Sequence, residues 1–294
     1  MNKRFLNIAT LSLLFSANLS AGAMPQRIAS GTVGTDETLL VLLKGEEQRL
    51  VALSTLADNP KYSFIQEIPK SVKARVGDNI ESLLFVKPDL VVLASYSSAD
   101  IIEQLKAAKV NVKVQKAFGG ISDIETNIKE LGALIGKEKE ADILVASMEK
   151  SIADALAKQP KCKKRPTVIQ YASNYIVPGT DTIIDDIAER AGFHNVLRDI
   201  NFKGWSPISA EVLVQLKPDF IIASAADASS KEALQKMLLQ AAAWQKLDAV
   251  KNGRIILVPD RLLYTVSYHA AELLGFLATE LRCGGEGSSM PVKK

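Results

Sequence analysis

A twelve-residue pattern occurs twice in this chain and constrains the fold more than any other feature. Glu81-Ser-Leu-Leu-Phe-Val-Lys-Pro-Asp-Leu-Val-Val92 and Glu211-Val-Leu-Val-Gln-Leu-Lys-Pro-Asp-Phe-Ile-Ile222 share Glu, Leu, Lys, Pro and Asp at matching places, and most other positions exchange one apolar residue for another. Each copy reads as a short amphipathic helix, a break and a buried strand. Proline disfavours helical backbone in the residue before it, so each helix must end at Lys87 or Lys217. Two copies at one large offset imply two lobes of similar plan, since a solenoid would repeat every ~20–50 residues.

Around each copy, strands alternate with helices, the pattern of a parallel sheet covered on both faces. In the first half, strands are expected over 27–31, 50–54, 90–94 and 110–114. Helices are expected over 38–43, opened by Thr35, Asp36 and Glu37, and over 100–109. In the second half the expected strands are 167–171, 220–223 and 254–258, and the helices 181–191, 208–216, 231–242 and 268–281. Between the halves the alternation stops. Ser122 or Asp123 should cap a helix through 134, Gly136 interrupts, and 137–158 carries Leu144, Met148, Ile152 and Leu156 at helical spacing. A helix of that length is about 33 Å long, enough to bridge two lobes. The expected fold is therefore α/β, two Rossmann-like lobes with mainly parallel sheets joined by a single long helix. The expected divisions are a leader at 1–23, an N-terminal lobe at 24–121, linker helices at 122–160, a C-terminal lobe at 161–283 and a disordered tail at 284–294.

The leader assignment rests on Lys3 and Arg4, an apolar run over 5–15 and the small residues Ala21-Gly22-Ala23, which together form a cleavable secretory signal. No Cys follows the apolar run, so no lipid anchor is expected, and no later run is long enough to span a bilayer. The expected location is the periplasm. Without the leader's two cations the formal net charge of +3 falls to about +1, which argues against a nucleic-acid partner. Lys161-Cys-Lys-Lys-Arg165 reads as a solvated linker. Cys162 and Cys283 flank the second lobe, and in an oxidising compartment they are candidates for a disulfide that closes it.

Enzymatic signatures are missing. His194 and His269 have no metal-ligand spacing, so no metal site and no cofactor are expected. There is no nucleophile elbow, phosphate loop or dinucleotide fingerprint. Two facing parallel sheets do offer a cleft, because ligands sit beyond the carboxyl ends of the strands. Loops expected there carry Thr32, Thr35, Asp58, Asn59, Tyr62, Tyr96, Asn174, Tyr175, Trp205, Arg261 and Tyr264. Aromatics mixed with a few polar groups suit a large, partly flat ligand.

These residues resemble the periplasmic receptors of ABC importers for ferric siderophores, cobalamin and haem, the class with a rigid bridging helix. The resemblance covers most of the chain after the leader. It rests on Arg27-Ile-Ala-Ser with Thr35-Asp-Glu-Thr-Leu-Leu, Leu56-Ala-Asp-Asn-Pro60, Val76-Gly77 with Glu81 and Lys87-Pro-Asp89, Gly179-Thr with Ile184-Asp-Asp, Trp205 ahead of Glu211, and Trp244 with Ala249-Val-Lys-Asn-Gly-Arg254. It implies a monomeric receptor with little hinge closure and an inner-membrane permease dimer as partner, with Glu81 and Glu211 docking onto permease arginines. A carboxylate in a helix's first turn is also favoured by the helix dipole alone, by about 0.3–1 kcal/mol.

For the ligand, Trp205 matches a position where cobalamin receptors stack an aromatic on the corrin. Haem receptors carry a Tyr after the Val-Gly of the first lobe, where Asp78 stands here. Tyr62 and Tyr96 are the alternatives for an axial ligand. Siderophores bearing hydroxamate or citrate call for arginine, for which Arg261 and Arg75 are candidates. The resemblance thus ranks a corrinoid or ferric siderophore ahead of haem. A periplasmic enzyme acting on such a chelate in the same cleft, and a sensor that kept the fold without transport, are the competing classes.

Overall fold

The computed structural model describes residues 24–77 and 80–283; the expected leader, the expected tail and Asp78 lie outside them. The first lobe runs β1 (Ile28–Ser30), α1 (Val33–Leu42), β2 (Leu50–Ser54), β3 (Ala74–Val76), α2 (Ile80–Phe85), β4 (Leu90–Ala94), α3 (Ala99–Ala107) and β5 (Val112–Gln115). Two helices follow, α4 (Ile121–Ile135) and α5 (Glu138–Ala157). The second lobe contains β6 (Thr167–Gln170), β7 (Ile176–Pro178), α6 (Ile183–Arg190), β8 (His194–Asn195), β9 (Trp205–Pro207), α7 (Ala210–Leu216), β10 (Phe220–Ser224), α8 (Lys231–Leu238), α9 (Asp248–Lys251) and β11 (Ile255–Val258). A short α10 (Asp260–Leu263) leads to the closing helix α11 (Ala270–Glu280).

Both main sheets are parallel throughout. Their strand orders are β3-β2-β1-β4-β5 and β11-β10-β6-β8. Apart from the extra edge strand β3 the two orders correspond, with the opening strand of each lobe beside the strand of the repeat. The repeat does the same work in both. Lys87 and Lys217 each turn into left-handed backbone at φ 45°, which breaks the helix where the following proline disfavours its continuation. Asp89 then accepts the N–H groups of Gln26 (2.7 Å) and Arg27 (3.0 Å), while Asp219 accepts the N–H and the hydroxyl of Thr167, both at 2.9 Å. Each Asp ties the start of one strand to the start of its neighbour, which sets Ile28 opposite Leu90 and Val168 opposite Phe220.

One apolar core passes from lobe to lobe. It takes Ile28, Leu53 and Leu90 from the first sheet, Ile128, Leu131, Val145 and Met148 from α4 and α5, Leu273 and Leu277 from α11, and Val168, Ile222 and Val258 from the second sheet. A wide hinge motion would expose part of this core at a cost of about 25 cal/mol for each Å². The 20 residues of α5 span about 30 Å, and α11 packs along them. Helix α4 crosses α5 closely at Gly132, where a Cβ would lie 2.5 Å from that of Ala141. A disulfide joins Cys162 to Cys283 (Cα–Cα 4.9 Å) and ties the end of α11 to the entry of the second lobe.

Several boundaries differ from the sequence reading for identifiable reasons. Helix α1 begins at Val33 rather than 38, because Thr32 caps it by accepting the N–H of Thr35. Helix α4 is capped by neither Ser122 nor Asp123. Asp123 instead accepts the N–H of Gly119, and Asp186 of the second lobe takes that of Ile121. The short strands β3, β7, β8 and β9 have two or three residues each, too few for a periodic signal.

Candidate ligand-binding cleft

The carboxyl ends of the strands in both lobes open onto a cleft with two adjoining chambers. The larger, about 300 Å³, is lined by Ser95, Tyr96, Lys116, Phe118 and Gly119 of the first lobe and by Asp181, Thr182, Gly204, Trp205, Leu263 and Tyr264 of the second. Tyr96 and Phe118 meet edge to face at 5.1 Å. Trp205 opens strand β9, whose antiparallel pairing with β7 holds it at the rim with half its surface exposed. The smaller chamber, about 230 Å³, is lined by Thr32, Glu37, Ser54, Thr55, Tyr62 and Thr265 among others. Tyr96, Tyr264 and Val266 line both and stand between them.

The cleft floor is where the lobes meet. At Gly34, in the first turn of α1, an added Cβ would fall 2.8 Å from Val266 Cγ2 and 3.0 Å from its backbone, so glycine is what lets the lobes approach. Three residues on, buried Glu37 accepts the N–H of Phe64 at 2.9 Å and the hydroxyl of Ser267 at 2.5 Å, one partner from each side of the cleft. Phe64 stacks on His269 at 3.8 Å, and the Arg261 guanidinium lies over the same Phe64 ring at 4.7 Å. Lys61 reaches Asp260 across the mouth at 3.7 Å.

Burial governs the titration here. It pushes the phenol of Tyr96 up, and pushes Tyr264 up to about 12 with help from the carboxylates of Asp227 and Asp260. Glu37 is likewise raised by burial, against the bonds from Ser267 and Phe64 that favour its anion.

Of the residues expected in the cleft, the structure places Thr32, Tyr62, Tyr96, Trp205 and Tyr264 on its walls. The others have local duties. Thr35 lies one turn inside α1 and is 4% exposed, donating to Gln115 at 3.0 Å. Asp58 is held by Arg75 at 2.7 Å, which keeps its carboxyl low and occupies that arginine. Asn59 caps its own turn by accepting from Lys61 N–H, as Asn174 does from Ile176 N–H. Tyr175, at φ 59°, stacks toward Trp244 in the second lobe's own core. Arg261 is engaged with Phe64 rather than the chambers.

Sequence reasoning missed Glu37, Lys116, Phe118, Asp181, Thr265 and Val266. Lys116 and Phe118 follow β5 directly, and the strand-end rule could have found them. Glu37 was hidden by reading it as the opening of a later helix. Among the described residues, no group of three or more His, Cys, Asp or Glu is placed to hold a metal. His194 is occupied by Glu189 and Asp199.

Glu81 and Glu211 lie exposed in the first turns of α2 and α7. Each helix runs antiparallel to the strand it feeds, so its N-terminus faces the same carboxyl edge as the cleft. Glu211 is held low by its own N–H and the Ser209 hydroxyl, and Ser209 caps the helix.

The chain matches the family described as periplasmic binding protein over residues 28–262. It is 30% identical over 200 residues to the uncharacterized ABC transporter substrate-binding lipoprotein YvrC of Bacillus subtilis, covering 64% of this chain and 61% of YvrC. It is 28% identical over 148 residues to the cobalamin-binding protein of Halobacterium salinarum, covering 49% of this chain and 40% of that protein. The chain thus spans less than two thirds of the length of these curated relatives. A solved structure, a possible iron-binding (periplasmic solute-binding) protein from Staphylococcus epidermidis, superposes with a TM-score of 0.75 at 26% identity, over 87% of this chain and 98% of that one. With two parallel-sheet lobes on a bridging helix, and a family match that runs from β1 to α10, the chain belongs to the periplasmic binding protein family.

Proposed function

We propose that this protein is a receptor that binds a corrinoid in the interlobe cleft and delivers it to an ABC importer. The observation that carries the ligand class is the cleft lining: tyrosines, a half-exposed tryptophan and a phenylalanine, with no arginine among the described residues of either chamber. A corrinoid is a broad, flat macrocycle fringed by neutral amides, which an aromatic wall with few charges suits. Anionic ferric citrate calls for several cationic anchors, whereas the chambers carry Lys116 and both candidate arginines are engaged elsewhere. The naming of one relative as cobalamin-binding supports the same reading.

Haem is the second reading, favoured by the tyrosines between the chambers. Calorimetric titration with cobalamin, haemin and several ferric siderophores separates these readings. Cobalamin is expected to bind with a Kd below ~10 μM, about 7 kcal/mol. Binding of haemin alone would replace the corrinoid with haem, and binding of none would refute the receptor reading.

Delivery is assigned to Glu81 and Glu211, repeated one per lobe at the edge that carries the cleft. A permease dimer of matching pseudo-twofold symmetry would receive them. Glu81→Ala combined with Glu211→Ala should leave ligand affinity intact and abolish uptake, and unchanged transport would refute the docking role. The ligand is expected to leave the protein chemically unchanged.

A further inference from the structure

The smaller chamber, whose lining includes Thr32, Ser54, Thr55 and Thr265, is not needed to stack a macrocycle, and its floor is unusual. Glu37 is 4% exposed, yet it lines the chamber beside Thr32, Ser54, Thr55 and Thr265. Its two carboxylate oxygens offer about four acceptor positions, and the protein fills two, with Phe64 N–H and Ser267 hydroxyl. The 2.5 Å contact from Ser267 has the length of a hydroxyl donating to an anion. A buried acceptor with spare capacity selects a donor. It repels a second carboxylate, because like charges facing each other without water cost several kcal/mol.

Resting on the corrinoid reading above, we propose that the smaller chamber is a subsite for an amide side chain of the ligand. Glu37 accepts the amide N–H there, so the protein discriminates amide-bearing macrocycles from their carboxylate counterparts. Tyr96, Tyr264 and Val266, shared by both chambers, set the ring in the larger one and let a single side arm pass into the smaller. The same carboxylate would face a propionate arm of haem unfavourably, which gives the cleft a reason to prefer corrinoids beyond its aromatic wall.

The test compares cobinamide, whose side chains are amides, with cobyrinic acid, its carboxylate counterpart, by calorimetry. Wild-type protein should bind cobinamide at least about tenfold tighter. Glu37→Gln presents donors in place of an anion and should narrow that ratio, mainly by admitting the acid. Because Glu37 also ties the lobes together, a second variant guards against misfolding. Thr55 is exposed at the chamber wall, so Thr55→Phe fills the space without touching the core and should weaken cobinamide. Equal wild-type affinities for the two compounds, or cobinamide affinity unchanged in Thr55→Phe, would overturn the subsite and leave the receptor reading standing. Failure of both compounds to bind wild-type protein would remove the corrinoid reading and the subsite with it.

Discussion

Trp205 is the cleft residue whose contribution can be worked out most directly. It is 50% exposed, at the start of the small β7–β9 ribbon. A tryptophan can bury up to ~250 Å², so roughly 125 Å² remains for a ligand to cover. At ~25 cal/mol per Å² this gives ~3 kcal/mol. Trp205→Ala should therefore weaken ligand binding by about 100-fold or somewhat more. Trp205→Phe keeps a flat face and should cost far less. Calorimetry is the appropriate assay, because the substitution removes the cleft's own fluorophore. The other tryptophan, Trp244, is 1% exposed and packed against Tyr171 in the second lobe's core, so it makes no contact with a ligand in the cleft. Half of the side chain is already covered by the protein, so the alanine variant should also unfold at a somewhat lower denaturant concentration than wild type, and its affinity is to be measured well below that midpoint. An affinity within about threefold of wild type would refute the idea that the ligand lies on this ring.

Three further predictions concern the frame that holds the cleft. Asp36 is wholly buried, accepts from the Ser54 N–H and hydroxyl, and is pushed up to about 7 by burial. The folded state then holds a proton that the unfolded chain releases near its ordinary value of 3.8, so stability falls as pH rises between those values and levels off above 7, by about 4 kcal/mol in all. Urea unfolding of Asp36→Asn should lack most of that slope. Removing the disulfide with Cys162→Ala and Cys283→Ala frees a loop of 121 residues. Chain entropy puts the loss at up to ~5 kcal/mol, and a denaturation midpoint unchanged from wild type would contradict it. Asp219→Ala strands the Thr167 N–H in a half-buried setting and should cost about 2 kcal/mol, more than Asp89→Ala at its exposed site.

The frame was more legible than the site. Periodicity located most long helices and strands, and the repeat foretold two lobes of equal plan. It did not foretell that Asp89 and Asp219 tie neighbouring strands, since their partners stand 62 and 52 residues away. The position of α1 was lost because its cap, Thr32, sits in a stretch that reads as a Gly/Thr turn. With α1 misplaced, Thr35 was assigned to the cleft and Glu37 was not. Asp58, Asn59, Asn174 and Arg261 are the polar loop residues that a cleft would be expected to use. Each is already engaged by a near neighbour or a packed ring, which composition cannot reveal.

The sequence by itself determined the class of fold and its doubling, because these depend on local rules: apolar periodicity, the backbone restriction before proline, and a pattern repeated at one offset. It also determined which end of each sheet the loops of interest would occupy. Tertiary structure decided which of those loops line the cleft. That depends on where α1 begins, on Gly34 allowing Val266 to approach, and on which charges find partners across the chain. Contacts of this kind are set by distance in space between residues remote in sequence. The chamber floored by Glu37 exists only once the two lobes have been brought together.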